Sequence, residues 1–335
     1  MVQVLFHIGM GKTGTTSIQA ALDQSDAALQ KSSCSYLGMW MDFLGREFSG
    51  PGGFANFLAL DPKLKIRQAE KFYEYLLTES KRGATEKFII SNEGFLTRLN
   101  KMKPFFKRLE QLVELRLVAY ARPVKSWLPS ACSQWGVLHK TNSGPIENLH
   151  VAGERMISQY SVINDWDRLF GKSFCLRQFD SGKDILEDFS QVIGVKISAG
   201  AKKRQVRLPV AEQMLRASFN NQVQGISLPK DFDEIIKGRR GGDLPSGLEE
   251  KFEFLFDYSS LAPVIEKHKS EIQAIEKKFG LDLMSGSLPE MHEYREREII
   301  NFIVGNLMDI VSSHALEIER LKAKIEELES FPNTM

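Results

Sequence analysis

The residues best suited to chemistry lie near the N-terminus, in the run Gly9-Met10-Gly11-Lys12-Thr13-Gly14-Thr15-Thr16. Its glycines let backbone N–H groups turn toward an anion, and Lys12 and the threonine hydroxyls add a charge and further donors. The run follows an apolar stretch, Val2 to Ile8, that reads as a buried strand. It precedes a stretch from Gly14 to Leu29 with helical spacing, in which Ile18, Ala21, Leu22 and Leu29 share related faces. A glycine-rich loop that ends at a helix N-terminus is a phosphate cradle, because the positive end of the helix dipole adds to the donors. Gly11-Lys12-Thr13 matches the ending of a Walker A motif, but that motif needs a glycine five residues before its second glycine, and Phe6 stands there. A second candidate anion site is Arg122 in Tyr120-Ala121-Arg122-Pro123, with Ser130 further along. On a helix opened by Pro123, Ser130 lies roughly two turns in. An arginine at a strand end and a serine on the next helix can then grip one anion. A third candidate is Glu93 in Ser91-Asn92-Glu93-Gly94-Phe95, a carboxylate that can take a proton, bind substrate or cap a helix.

The elements that must position these residues alternate in type. Lys87–Ser91 and Leu115–Ala121 read as further buried strands and 173–177 as a fourth, while Ile66–Leu77 and Ile157–Phe170 read as helices. The pattern predicts an α/β fold with a mostly parallel sheet covered by helices on both faces. Residues 38–62 are rich in Gly, Pro and Phe without a clear period and read as an irregular surface segment; 139–153 read as a loop. After residue 180 helices dominate.

His7 to Ser17 resembles the 5′-phosphosulfate loop of sulfotransferases that use PAPS, 3′-phosphoadenosine 5′-phosphosulfate. That family usually has proline where this chain has Gly11. Arg122 and Ser130 are similar to the Arg-x7-Ser pair that binds the 3′-phosphate of PAPS, and Ser126 to Trp135 looks like bacterial members. Tyr160 with Trp166, Phe170-Gly171, Leu176 to Phe179, Asp184, Asp188-Phe189 and Ile193-Gly194 fall in the family's usual order, mostly as packing residues. Arg207-Leu208-Pro209 to Asn220 has a family look, although the asparagine-serine signature before it is not intact. The resemblance covers roughly residues 2–220. It implies a P-loop-like core and an enzyme that moves a sulfuryl group from PAPS to an acceptor hydroxyl, a carbohydrate by family analogy. It further implies that Gly11, Lys12, Thr13, Gly14, Thr15, Thr16, Arg122 and Ser130 bind PAPS. Lys12 would stabilise the leaving phosphate, and Glu93 would be the general base, with Ser91 assisting. Lys237 to Gly242, a basic glycine-rich stretch, reads as a solvated turn or, by the same resemblance, as a cover for the 3′-phosphate.

Among competing bases, His7 sits inside the first strand and reads as a core histidine, while His139 and His150 flank a loop. Cys34, Cys132 and Cys175 lie too far apart for a zinc spacing, and no metal-binding motif occurs, so no metal is expected. A net charge of +1 argues against a dedicated nucleic-acid binder. No apolar run of about 18 residues predicts a membrane span, and the N-terminus lacks signal-peptide features, which leads to the expectation of a cytoplasmic protein.

Two domains are expected: a sulfotransferase-like α/β domain over 1–285 and a long helix over 290–330. In that helix Val304, Val311, Ile318 and Ile325 fall at heptad position a, and Ile300, Leu307, His314, Leu321 and Leu328 at d. β-branched a with mostly leucine at d favours a parallel two-stranded coiled coil, hence a homodimer; a long amphipathic helix packed on its own domain is the alternative. Two other functions compete with sulfuryl transfer. A P-loop kinase or NTPase needs Mg2+ and an acidic residue on a neighbouring strand. A non-catalytic coiled-coil scaffold needs neither Lys12 nor Arg122 with Ser130.

Overall fold

The protein is described by a computed structural model covering residues 2–180, 182–198, 210–236 and 257–290, with further helical positions between 300 and 325. The chain divides into two compact units. One holds 1–130, 154–205 and 263–287; the other holds 131–153, 206–262 and 288–335.

The first unit is built on five parallel strands in the order β2-β3-β1-β4-β5. They are β1 (Gln3–His7), β2 (Cys34–Tyr36), β3 (Lys87–Ser91), β4 (Glu114–Ala121) and β5 (Phe174–Gln178). β1 lies at the centre. Val4, Leu5 and Phe6 are all buried there, which explains a continuous apolar run instead of alternation. Successive side chains still point to opposite faces. Leu5 joins Ile18, Leu22, Val118, Tyr120 and Phe189 under helices α1 (Thr15–Gln24) and α9 (Ile185–Ile193). Phe6 points the other way, into an aromatic cluster with Phe72, Phe95, Phe105 and Phe106 at ring-centroid distances of 4.8–6.4 Å. That cluster is carried by α4 (Pro62–Gly83), α5 (Leu99–Leu109) and the 3-10 turn Glu93–Arg98 that holds Phe95. Trp166 of α8 (Gln159–Phe170) closes it, donating its indole N–H to the Leu96 carbonyl at 2.8 Å.

The register aligns the C-terminal ends of the central strands. His7 of β1 sits opposite Ser91 of β3 and Val118 of β4, and Ala121 of β4 opposite Gln178 of β5. The loops after β1, β3, β4 and β5 therefore leave from the same edge, where parallel α/β sheets bind ligands.

Several local expectations need correction. The predicted helix from Gly14 to Leu29 is two helices, α1 and α2 (Asp26–Lys31), broken at Ser25. The Ser25 carbonyl accepts from Ala28 and Leu29, and its hydroxyl accepts from Ser198 N, so this serine restarts the helix instead of continuing it. Residues 38–62 are not irregular. They hold two 3-10 turns and α3 (Gly50–Ala59), which opens on Pro51 and packs Phe54 and Phe57 against Phe95 and Phe105. The segment 139–153 is a loop only as far as Asn148; α7 (Leu149–Ile157) begins there.

The second unit contains a π-helical turn (Ser133–Leu138), α10 (Val210–Gln222) and α11 (Pro229–Ile236). An antiparallel bridge joins Lys140 to Ser227, and the buried Lys140 ammonium donates to the carbonyls of Gly144 and Val223. α6 (Val124–Cys132) and α12 (Ala262–Phe279) complete the helices used below. Arg207 to Pro209 and Lys237 to Gly242 lie outside the described residues. Among the described residues no helix is long and apolar enough to cross a membrane.

Candidate functional site

The loop after β1 is fastened at several points. The Thr13 hydroxyl donates to the Met10 carbonyl at 2.5 Å, and the Trp127 indole N–H of α6 donates to the Gly11 carbonyl at 2.9 Å. Gly9, Lys12 and Gly14 all adopt positive φ, at 74°, 67° and 81°. For a lysine this left-handed geometry costs roughly 1 kcal/mol or more, and it persists because the anchors around it determine the path. Gly14 precedes α1 without any side-chain cap, and no acidic residue stands in the first turn. The orphan N–H groups of that turn and the positive end of its dipole are left for an anion. Thr15 Oγ1 is buried with no hydrogen-bond partner among the described residues, and Thr16 is exposed beside it.

Arg122 comes from the end of β4. Phe179 N donates to the Ala121 carbonyl at 2.7 Å, which brings Phe179 alongside; the guanidinium carbon lies 5.8 Å from the centre of its ring. A Cβ on Gly14 would lie 3.2 Å from that same Phe179 ring, so the arginine and the loop share one aromatic wall. Arg122 Nε donates to Ser126 Oγ at 3.0 Å, Ser126 donates in turn to the Pro123 carbonyl, and the Tyr160 hydroxyl holds the Arg122 carbonyl. Burial lowers the pKa of Lys12, and the nearby Arg122 charge lowers it further; burial also lowers that of Arg122. Lys12 and Arg122 are thus two partly buried cations close enough to feel each other's charge.

Ser130, expected to share an anion with Arg122, is half-buried in α6 and forms no hydrogen bond to it. The hydroxyl on the guanidinium is that of Ser126, one turn into the helix. Ser126, Phe179, Trp127 and Tyr160 were not singled out by sequence as a support for Arg122. The signal was present for Ser126, which stands four residues after Arg122 and so one turn along a helix opened by Pro123.

Glu93 follows β3. It opens a 3-10 turn that is capped by Asn92, whose Oδ1 accepts from Gly94 N at 2.8 Å, so capping is not the task of Glu93. The Asn92 N–H is held by the His7 carbonyl, and the Asn92 side chain donates to the Met39 carbonyl. A Cβ on Gly9 would lie 2.5 Å from both Cα and Cβ of Glu93. The carboxylate therefore starts directly against the loop, and only glycine permits the approach. Glu93 is half-buried, with Gln19 of α1 beside its carboxylate.

No family model matches the chain, and no curated protein matches it in sequence. The functional reading rests on these residues. His7 is a core residue, as expected. It is fully buried, its Nδ1 is 2.8 Å from Ser91 Oγ, and burial lowers its pKa to about 3, so it is neutral in the folded protein. A cavity of about 390 Å³ flanks β5 and α9, but its Arg177 is committed to Asp188 through two hydrogen bonds of 2.5–2.6 Å. Among the described residues no group of three or more His, Cys, Asp or Glu could hold a metal ion.

Proposed function

We propose that this protein is a PAPS-dependent sulfotransferase with a P-loop-like core, acting on an acceptor hydroxyl, with a carbohydrate the leading acceptor class. The observation that carries the reading is the convergence of Lys12, Arg122 and the uncapped N-terminus of α1 at one sheet edge, with Glu93 pressed against the same loop. The donor set suits a nucleotide with two separated anionic groups. Loop N–H groups and Lys12 face one anion, and Arg122, oriented by Ser126, faces the other. When bound, PAPS supplies a sulfuryl group on a phosphate leaving group.

In this reading Lys12 neutralises charge that develops on the phosphate oxygen, and its crowded, desolvated position makes that contribution larger than at a surface. Arg122 fixes the nucleotide in register. Glu93 accepts the proton of the acceptor hydroxyl. The kinase or NTPase reading is disfavoured by the loop itself, where Phe6 stands in place of the first glycine of a Walker A motif. Calorimetric titration with PAP, PAPS and ATP, each with and without Mg2+, tests the proposal. Tight PAP binding without Mg2+ supports it, and ATP binding that requires Mg2+ overturns it.

We also propose that the C-terminal helix joins two copies of the chain as a parallel coiled coil. Its seam residues Ile300, Val304, Leu307, Ile318, Leu321 and Ile325 are each 37–54% exposed in the single chain, an unusual state for large apolar side chains spaced in a heptad. At the flanking positions Glu317 would face Lys322 of the second copy and Lys324 would face Glu329, opposite signs in both cases. Within one helix Glu317 reaches Arg320 only at 3.7 Å. Light scattering at tens of micromolar should report a dimer, and truncation after Ser312 a monomer with PAP binding retained. A monomeric full chain overturns the pairing.

A further inference from the structure

Glu93 needs more than proximity to act. A glutamate side chain has several rotatable bonds, and a base that is not fixed loses much of its advantage. Its first atoms are fixed by Gly9, which leaves no room at Cα and Cβ. Its far end meets α1. Gln19 lies one turn into that helix, is 7% exposed, and donates through Nε2 to the Ser91 carbonyl at 3.0 Å. The same nitrogen is 3.5 Å from Glu93 Oε2. Ser91 is itself immobilised: its hydroxyl is tied to the buried His7, and its strand pairs with β1. The amide is thus referenced to the sheet at one proton and turned toward the carboxylate at the other.

We propose that Gln19 is a positioning residue that holds one oxygen of Glu93 so that the other faces the acceptor. This deepens the sulfotransferase reading and rests on Glu93 as its base. An amide suits the task better than a cation. A lysine or arginine at this distance would stabilise the carboxylate and make it a poorer base, whereas a neutral donor restrains it at little cost in basicity. Tyr36 lies near enough to feel the charges of both Glu93 and Asp23, and its buried hydroxyl has no partner among the described residues. Burial and both carboxylates keep the Tyr36 phenol protonated, so it does not compete for the proton.

The test compares Gln19→Met, Gln19→Glu and Glu93→Gln in the full-length protein. Gln19→Met preserves volume and removes the donor. Turnover should fall about 10-fold or more, while PAP affinity stays within about twofold. Gln19→Glu places a second carboxyl beside the first, so the acidic limb of the pH–rate profile should move to higher pH by about one unit or more. Loss of turnover in Glu93→Gln with normal turnover in Gln19→Met and an unmoved pH–rate profile in Gln19→Glu overturns the positioning role alone. Normal turnover in Glu93→Gln overturns the base assignment and the role of Gln19 with it.

Discussion

Acidifying the solution from pH 7 to pH 5 should weaken the fold in part through one residue, His7. The imidazole is fully buried at the end of β1, packed against Tyr120 and Phe189, and its pKa falls from 6.5 to about 3 because burial opposes the charged form. The unfolded chain takes up a proton as pH drops through 6.5, and the folded chain does not until about 3. Unfolding is therefore favoured progressively across that window, and the folded state recovers the loss as pH rises. Evaluated at pH 5, the difference amounts to about 2 kcal/mol relative to pH 7, close to 1.4 kcal/mol for each further pH unit until the folded pKa is reached. Urea denaturation of wild type and of His7→Gln at both pH values measures it. Subtracting the two proteins removes contributions from the carboxylates and the remaining histidines. A difference between the proteins below about 0.5 kcal/mol would show that water or a proton reaches the imidazole in the folded state and would refute the burial argument.

Other outcomes follow from particular contacts. Gly9→Ala forces a Cβ to 2.5 Å from the Glu93 backbone at a φ of +74°, so it should destabilise by about 2 kcal/mol or more and cut turnover; Gly52→Ala, in an exposed helical position with nothing within 4 Å, should stabilise by about 0.5–1 kcal/mol in the same thermal melt. Arg122→Ala should weaken PAP by about 1.5–3 kcal/mol and adenosine 5′-phosphosulfate, which lacks the 3′-phosphate, much less; equal calorimetric losses for both ligands would remove the assignment. Lys12→Ala should lower kcat with a working acceptor by more than it weakens PAP, and a kcat within about threefold of wild type would exclude the role of Lys12 on the leaving group.

Much of the site was legible because its parts obey local rules. A glycine-rich run between an apolar strand and a helix, an arginine before a proline at the end of another strand, and a carboxylate after a third needed only strand and helix periods to be placed. The parallel sheet then brings the strand ends to one edge, which is why Lys12, Arg122 and Glu93 gather although they are distant in sequence. What escaped depends on contacts that no local rule encodes. Gln19 matters because of which carbonyl faces it across the α1–β3 contact. β2 is only three residues long, too short for a period to emerge, and pairs along one side alone. α3 was hidden by glycines that usually signal loops; its Phe54 and Phe57 find partners in the aromatic cluster, and this packing outweighs poor helix propensity. The resemblance set Ser130 with Arg122 on one anion, and Ser126, which accepts from the guanidinium itself, was not foreseen.

The fastening of the Gly9–Thr16 loop bears on how fast a ligand can engage it. Trp127 on Gly11, Thr13 on Met10 and Gly9 on Glu93 hold the backbone in its left-handed turns before anything arrives. Binding then has no loop to order and no slow rearrangement to await. In rapid mixing, the observed rate should climb in proportion to nucleotide concentration without reaching a plateau, and it should fall as salt screens Lys12 and Arg122. Removing the Trp127 tether would convert that single encounter into a two-stage process whose rate saturates, because the loop would have to find its path after the ligand had landed.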